Sequence, residues 1–451
     1  MELKNKRILV AGSGKSGIGA VSLLQKIGAD ITLYDGNSAL TEEIVKEKLD
    51  NADGVKFVFG ELSSEVIGNI DLMVLSPGIA VDAPFVNEVR DAGVPIWGEI
   101  ELAYNVAKGK LIAITGTNGK TTTTSLVGEI MANYYKKVDV VGNIGNPYTT
   151  TAFESDEETV TVAEISSFQL ETIHEFKPDV SAVLNITPDH LNRHYTMDNY
   201  ANVKMSIAKN QDENQVIVLN YEDEIIREKA SKLKNKIVYF SSKNKLEEGI
   251  YLDGDNIVYS ADGKQEVITT VFDTSLVGIH NIENIMAAIG ISINMGVPND
   301  IIRQSIHDFK AVEHRIEYVT TKDDVIYYND SKGTNTDASI KAIEAMSRPT
   351  ILIAGGYDKK SEFDEWVEAF GDKIKTLVLL GETADKIAKT AKKHGFENII
   401  MTQSLEEAVK VSAQKAEPND AVLLSPACAS WDMFDSYEQR GELFKQFVKN
   451  L

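Results

Sequence analysis

Residues 111–125 read LIAITGTNGKTTTTS, and the organisation of the chain can be worked out from this stretch. Leu111 to Thr115 is an apolar run of strand length, Gly116 to Gly119 makes the turn, and a helix opens at Lys120. Leu126, Val127, Ile130, Met131 and Tyr134 recur at helical spacing and give that helix one apolar face. A strand, a glycine turn and a helix start form an anion cradle, because the first backbone N–H groups are unpaired and the helix dipole favours negative charge. The usual pattern is G-x-x-x-x-G-K-[ST], yet five places before Gly119 stands Ile114, and Gly116 leaves the loop two residues short. Shortening tightens the cradle but keeps the helix N-terminus. Lys120 lies where an ammonium reaches terminal phosphates, and Thr121 where a hydroxyl ligates magnesium. Thr121 to Thr124 are poor helix-interior residues but good first-turn ones, where their hydroxyls are expected to meet free backbone donors. A capped helix after a glycine turn accounts for the threonines but not for a lysine between Gly119 and Thr121.

Magnesium on a nucleotide needs a carboxylate, best placed at the end of a neighbouring strand. TVTVAEISS, residues 159–167, offers Glu164 there. Elsewhere Glu164 would be an ordinary strand-end acid; beside a phosphate loop it becomes a metal candidate. His190, in NITPDH, also follows a strand, although a lone histidine is more often a hydrogen-bonded structural residue.

A second glycine loop lies near the start of the chain. VAGSGKSG, residues 10–17, is a full G-x-G-x-x-G between a strand and a helix, and Asp35 ends the next strand about 20 residues on. This is the setting of a dinucleotide fingerprint, but the physics asks only for a diphosphate at a helix N-terminus. A nicotinamide or flavin cofactor and a nucleotide-sugar diphosphate both satisfy it, and a ligand-free turn is the bland alternative. Lys15 and Ser16 add donors for an anion.

Around these loops the chain alternates strands and helices, which points to parallel α/β sheets. RILVAG, ADITLYD and LMVLSPG belong to a first unit; KLIAITG, TVTVAEI, VSAVLNI and QVIVLN to a second; VIYYNDSKGTN, TILIAGG, TLVLLG and DAVLLSPAC to a third. At 451 residues, two or three domains are expected. A formal charge of −22 argues against a general nucleic-acid or membrane binder, and no window reaches membrane-spanning length. A single cysteine, Cys428, excludes an internal disulfide and suits a cytoplasmic protein.

The motifs resemble one family. GTNGKTTTT is similar to the ATP loop of the Mur ligases and of folylpolyglutamate synthetase, in which the short form is normal. EISSFQLE, NITPDHLNRH, GIHNIENIMAA, EHRIE, NDSKGTNTDAS and LLSPACASWDMFDSYEQRGELF resemble the Mur ligases over nearly the whole chain, and in particular the member that adds D-glutamate. The resemblance implies an α/β fold of three domains. These are a Rossmann-like UDP-binding unit at 1–98, a central P-loop ATPase-like unit at 99–311, and a Rossmann-like amino-acid-binding unit at 312–451. It implies an ATP-dependent amide ligase of peptidoglycan precursor synthesis. Such an enzyme adds D-glutamate to UDP-N-acetylmuramoyl-L-alanine through an acyl phosphate, as a cytoplasmic monomer without nucleic-acid or membrane partners.

The same resemblance implies roles for particular residues. ATP would be held by Gly116, Thr117, Asn118, Gly119, Lys120, Thr121 and Thr122, with Asn284, Arg315 and Asp330. Two magnesium ions would be held by Thr121, Glu164, His190 and Lys204, the last as a carbamate. From the residues alone, Lys204 in YANVKMS reads as a solvated helix lysine. Lys332 would sit near the transferred phosphate, making Lys120, His190, Lys204 and Lys332 the catalytic set. The UDP-sugar would meet Gly14, Lys15, Ser16, Asp35, Gly78 and Asn143. D-Glutamate would meet Thr334, Lys359 (or Lys360, its neighbour in GGYDKKSEF), Ser430, Trp431 and Tyr437; Trp431 and Tyr437 depart from the family's smaller aliphatic and phenylalanine. An open-to-closed motion is expected to bring Arg315, Asp330 and Lys332 to the nucleotide. A nicotinamide oxidoreductase, a non-catalytic nucleotide switch and a sister ligase for another amino acid are the competing readings.

Overall fold

The computed structural model describes residues 2–143, 145–310 and 313–451. Among them the strands form three sheets. The first joins Arg7–Ala11, Asp30–Asp35, Val55–Phe59, Leu72–Leu75 and Ile96–Gly98, all parallel, in the chain order 3-2-1-4-5. This is a doubly wound sheet, with its order reversing beside the first strand, where ligands of such sheets bind. The sequence reading missed Val55–Phe59 and Ile96–Gly98. Ile96–Gly98 is only three residues long, too short for period counting.

The second sheet has nine strands. Lys110–Thr115, third from one edge, pairs in parallel with Thr159–Glu164 on one side and Val180–Val183 on the other, and Lys137–Gly142 forms the edge beyond Thr159–Glu164. Val216–Asn220 and Lys236–Ser241 continue it in parallel, and an antiparallel meander of Gly249–Asp253, Asn256–Ala261 and Lys264–Thr270 closes that edge. The meander has its own sequence signal. Asp262-Gly263 links the last two strands with φ of 52° and 70°, the left-handed pair that a two-residue hairpin turn requires.

The third sheet orders its strands as Glu317–Lys322, Val325–Asn329, Ala421–Leu424, Thr350–Ala354, Ile374–Leu379 and Ile399–Met401. Its first pair is antiparallel and the others parallel.

Packing groups these sheets into two compact units, Met1–Val271 with Glu283–His307, and Phe272–Ile282 with Asp308–Leu451. The first two sheets therefore share one unit. A continuous apolar core explains this: Val21 and Leu24 from the first helix, Trp97, Ile100 and Ala103 from the junction, and Tyr148, Ile173 and Phe176 from the second sheet's surroundings are all buried in it. The helix Glu99–Tyr104 also carries Glu101, fully buried, whose carboxylate accepts backbone N–H bonds from His174, Glu175 and Phe176. Three amides satisfy a charge that would otherwise be costly to bury. The expected boundary at 98/99 thus falls between a strand and this shared helix, whereas the one at 311/312 lies outside the described residues. No described helix is long and apolar enough to cross a membrane.

Candidate active site

The phosphate loop is built as its residues dictate. Lys110–Thr115 is buried beyond its first residue, and the helix after it spans Lys120–Ala132. Leu126, Val127, Ile130 and Met131 are buried, each contributing roughly 1.5–3 kcal/mol by leaving water. Tyr134 lies beyond the helix and is exposed, so it does not extend the apolar face. Gly119 caps the helix with φ of 85°, and no side chain caps it. The expectation that threonine hydroxyls would serve the free backbone donors is not met at Thr122, Thr123 and Thr124. Among the described residues the buried hydroxyls of Thr122, Thr123 and Thr124 have no hydrogen-bond partner. The N-terminal amides are thereby left for an anion rather than used by the helix itself.

A neighbouring turn braces the loop. Thr117 N donates to the Asn185 carbonyl (2.9 Å), Asn118 N to Asn185 Oδ1 (2.8 Å), and Thr187 N to Thr117 Oγ1 (3.0 Å). Lys120 Nζ folds back onto the carbonyls of Gly116 (2.9 Å) and Thr117 (2.8 Å). Asn284, on the helix Ile279–Asn294, packs directly beside Gly119.

Glu164 ends the adjacent strand in register with Ile114 and is 2% exposed. Its Oε1 accepts from Asn143 Nδ2 at 2.8 Å, while Oε2 is buried without a partner among the described residues. A buried carboxylate oxygen left unpaired is expensive and calls for a cation. With Thr121, a hydroxyl residue 4% exposed in the first turn of the helix, this donor set is hard and oxygen-rich, the kind that suits magnesium. Asn143, expected at the sugar nucleotide, is thus seen holding Glu164.

Lys204 corrects the reading from residues alone. It is not solvated but 2% exposed, and its Nζ donates to the Gly116 carbonyl at 2.7 Å. Burial, with the Lys120 charge adding to it, holds the Lys204 ammonium well below the ordinary lysine value. The signal was present in sequence: Tyr200, Ala201, Lys204 and Met205 share one face of the helix Met197–Met205, and all four are buried. His190 is the N-cap of a short helix, Leu191–His194, at φ of 53° and is exposed. His194, which the sequence reading passed over, is the buried histidine. Its Nε2 lies 3.0 Å from Ser167 Oγ, and burial pulls its pKa down to about 4, helped by the Arg193 charge.

The first glycine loop lines a cavity of about 440 Å³ with Lys15, Ser16, Asp35 and Gly78, walled by Tyr34 and Phe85. Gly17 has no room for a side chain, since a β-carbon there would lie 1.8 Å from the Gly12 carbonyl oxygen. Asp35 accepts from both the amide (2.9 Å) and the hydroxyl (2.7 Å) of Ser13. Partial burial works to raise its pKa, but the bonds from Ser13 and Asn37 outweigh that and keep it below the usual carboxylate value. Ser76, in the same wall, has a buried hydroxyl without a partner among the described residues.

In the second unit, Asp330 follows the strand Val325–Asn329 and accepts from Ser425 Oγ at 2.7 Å. Complete burial pushes its pKa up to about 7, against the pull of Ser425 and Arg315. The Nε of Arg315 is buried and unpaired among the described residues. Lys332 Nζ lies 5.4 Å from the Tyr437 ring centre, and Lys359 Nζ 5.8 Å from that of Trp431 and 3.2 Å from the Thr334 carbonyl. Lys359, rather than Lys360, is the lysine that meets Thr334 and Trp431. Ser430 is buried and Trp431 is 64% exposed. The sequence reading missed Arg440, buried beneath this surface, which donates to Ser331 Oγ (3.0 Å), Ser331 O (2.8 Å) and Cys428 O (3.2 Å). It ties the loop bearing Lys332 to the loop bearing Ser430.

Comparison with known proteins identifies the family. Residues 6–98 match the Mur ligase MurD-like N-terminal domain, 114–292 the Mur ligase middle domain, and 314–428 the Mur ligase glutamate ligase domain. A UDP-N-acetylmuramoylalanine--D-glutamate ligase of Lachnospira eligens is 56% identical over 451 residues, covering 100% of both chains. One of Clostridioides difficile is 47% identical over 452 residues, again covering 100% of both. Among solved structures, MurF ligase of Thermotoga maritima, in complex with ADP, shares the fold at a TM-score of 0.62 and 17% identity, covering 100% of this chain and 96% of its own. UDP-N-acetylmuramate-alanine ligase MurC of the same organism does so at 0.61 and 18%, covering 99% of each. The chain belongs to the Mur ligase family, among the UDP-N-acetylmuramoylalanine--D-glutamate ligases.

Proposed function

We propose that this chain joins D-glutamate to UDP-N-acetylmuramoyl-L-alanine at the expense of ATP, a step of peptidoglycan precursor synthesis. The alanyl carboxylate attacks the γ-phosphorus, the bond to the β-phosphate oxygen breaks, and ADP leaves. The D-glutamate amine then attacks the acyl carbon, loses a proton and expels inorganic phosphate, which forms the amide. Phosphorylation is needed because a carboxylate is a poor electrophile. Negative charge gathers on phosphates and carboxylate together, so placed cations and amides supply most of the stabilisation.

In this reading the loop Gly116, Thr117, Asn118, Gly119, with Lys120 and the amides of Thr121 and Thr122, cradles the phosphates, and Asn284, Arg315 and Asp330 complete the ATP contacts. Thr121, Glu164, His190 and a carbamylated Lys204 would hold two magnesium ions, which when bound neutralise phosphate charge. The low proton affinity of buried Lys204 supports the carbamate, since only a neutral amine adds to carbon dioxide. Gly14, Lys15, Ser16, Asp35 and Gly78 would take the UDP-sugar, with Asn143 acting through Glu164. Thr334, Lys359, Ser430, Trp431 and Tyr437 would take D-glutamate, and Lys332 the transferred phosphate. The protein works as a cytoplasmic monomer with domains at 1–98, 99–311 and 312–451.

The observation that carries the ligation chemistry is the unpaired, buried Glu164 oxygen on the strand beside an uncapped, lysine-bearing helix N-terminus. The test is phosphate release with ATP, magnesium, UDP-N-acetylmuramoyl-L-alanine and D-glutamate, each omitted in turn. Release that requires all four, and D-glutamate over L-glutamate, L-alanine or L-lysine, is the expected result. Release with another amino acid would reassign the third domain, and none at all would overturn the ligase.

A further inference from the structure

One largely buried ion pair stands between the two ligand regions without a role in the chemistry above. Arg193 Nη2 donates to Glu171 Oε2 (2.6 Å) and to the carbonyl of Ile79 (2.8 Å), and its Nε reaches Glu171 Oε1 (3.3 Å). Its guanidinium lies 4.9 Å from the ring centre of Phe168. The Arg193 and Glu171 side chains are only 13% and 9% exposed, so the pair is desolvated and geometrically demanding rather than an idle surface bridge.

What it joins gives it meaning. Ile79 lines the cavity of the first glycine loop, next to Gly78. Phe168 and Glu171 follow closely on Glu164 in the chain. Arg193 itself lies in the short helix capped by His190, and its amide donates to the His190 carbonyl at 2.9 Å. A second link runs in parallel, from the Tyr195 hydroxyl to Asp82 Oδ2 at 2.5 Å. The cavity wall at 79–82 is therefore fastened to the segment that carries His190. That segment holds two strained residues, since His190 and Tyr195 both have positive φ, of 53° and 66°. Strain of this kind persists only where the surroundings fix it.

We infer that Arg193 is a positioning residue for the ligation. It registers the sugar-nucleotide pocket against the His190 segment, so that the alanyl carboxylate arrives where the phosphoryl group is transferred. The inference rests on the ligase reading and adds to it the coupling between its two ligand regions. A lysine at this position keeps the charge beside Glu171 but cannot span Glu171 and the Ile79 carbonyl with a planar fork.

The test uses the full chain with Arg193→Lys and Arg193→Ala, read by melting temperature, by calorimetric binding of UDP alone, and by steady-state kinetics. Arg193→Lys is expected to melt within a few degrees of the wild type and to bind UDP within about threefold. It should nonetheless lose roughly 30-fold or more in kcat/KM for UDP-N-acetylmuramoyl-L-alanine, with kcat itself reduced, as misplacement of about 1 Å does. KM for D-glutamate should hardly move. If Arg193→Lys keeps kcat/KM within about threefold of an active wild type, or loses activity only in proportion to unfolded protein, the inference is overturned while the ligase stands. A wild type without D-glutamate-dependent turnover would overturn both.

Discussion

A β-carbon on Gly119 would lie 2.2 Å from Oδ1 of Asn284. Asn284 is 4% exposed and has little room to yield, and Gly119 already sits at φ of 85°, where an L side chain is strained. Gly119→Ala should therefore tilt the start of the helix that presents Lys120 and Thr121. ATP-dependent phosphate release is expected to fall by about 100-fold, with a lower melting temperature. Turnover within twofold of the wild type would mean that the loop tolerates a shift there.

Lys204 and Lys120 share the Gly116 carbonyl as an acceptor. Lys204→Ala removes a buried amine and the anion it is proposed to become. Turnover should fall by about 100-fold and recover in part with added acetate, a small carboxylate that fits the vacated space. Labelled bicarbonate should give a carbamate carbon signal in the wild type that Lys204→Ala lacks. An active variant that needs no acetate would take Lys204 out of the site.

Glu164→Gln gives the clearest separation of stability from activity. The unpaired buried oxygen costs stability in the free protein, so neutralising it should leave the melting temperature unchanged or raise it by a few degrees. Magnesium-dependent turnover should drop steeply and resist added magnesium. A lower melting temperature with an ordinary magnesium response would assign Glu164 a structural part.

His194 sets a pH dependence. Its folded pKa, lowered to about 4 by burial, lies below the ordinary histidine value near 6.5. The unfolded chain therefore takes up the proton first as pH falls. Stability from this group is complete above pH 6.5 and is lost on the way down to pH 4. The loss amounts to roughly 3 kcal/mol. Denaturant midpoints at neutral pH and near pH 5 should differ less in His194→Gln than in the wild type. Equal acid sensitivity in the two proteins would show that the ring is already charged.

Much of this was legible in the chain itself. Leu111–Ile114 is apolar along its length because the strand is covered on both faces. The spacing put Asp35 at the end of the strand beside the first glycine loop, where it lines the cavity. What escaped was what depends on neighbours far along the chain. Nothing within a few residues of Lys204 tells of the Gly116 carbonyl 88 positions away. Arg193 looks like any helix arginine until Ile79 and Glu171 are brought beside it. Burial of the four threonines follows from the packing of Lys120–Ala132 on its sheet, not from their propensity. The Asp262-Gly263 turn of the 249–270 meander, by contrast, was readable and was overlooked among longer apolar runs.

The apolar core common to the first two sheets bears on how this protein can be taken apart. Gly98 and Glu99 look like the natural place to divide the chain, since a sheet ends at one and a helix starts at the other. A cut there would strip Trp97 from Ile100 and Ala103 and leave the buried faces of Tyr148 and Phe176 against water. Either fragment would present an adhesive surface, and the shorter would surrender the wall against which its first helix rests. For expression, crystallisation or fragment screening, the first two sheets belong in one piece, and the seam that the sequence advertises is the worst place to cut.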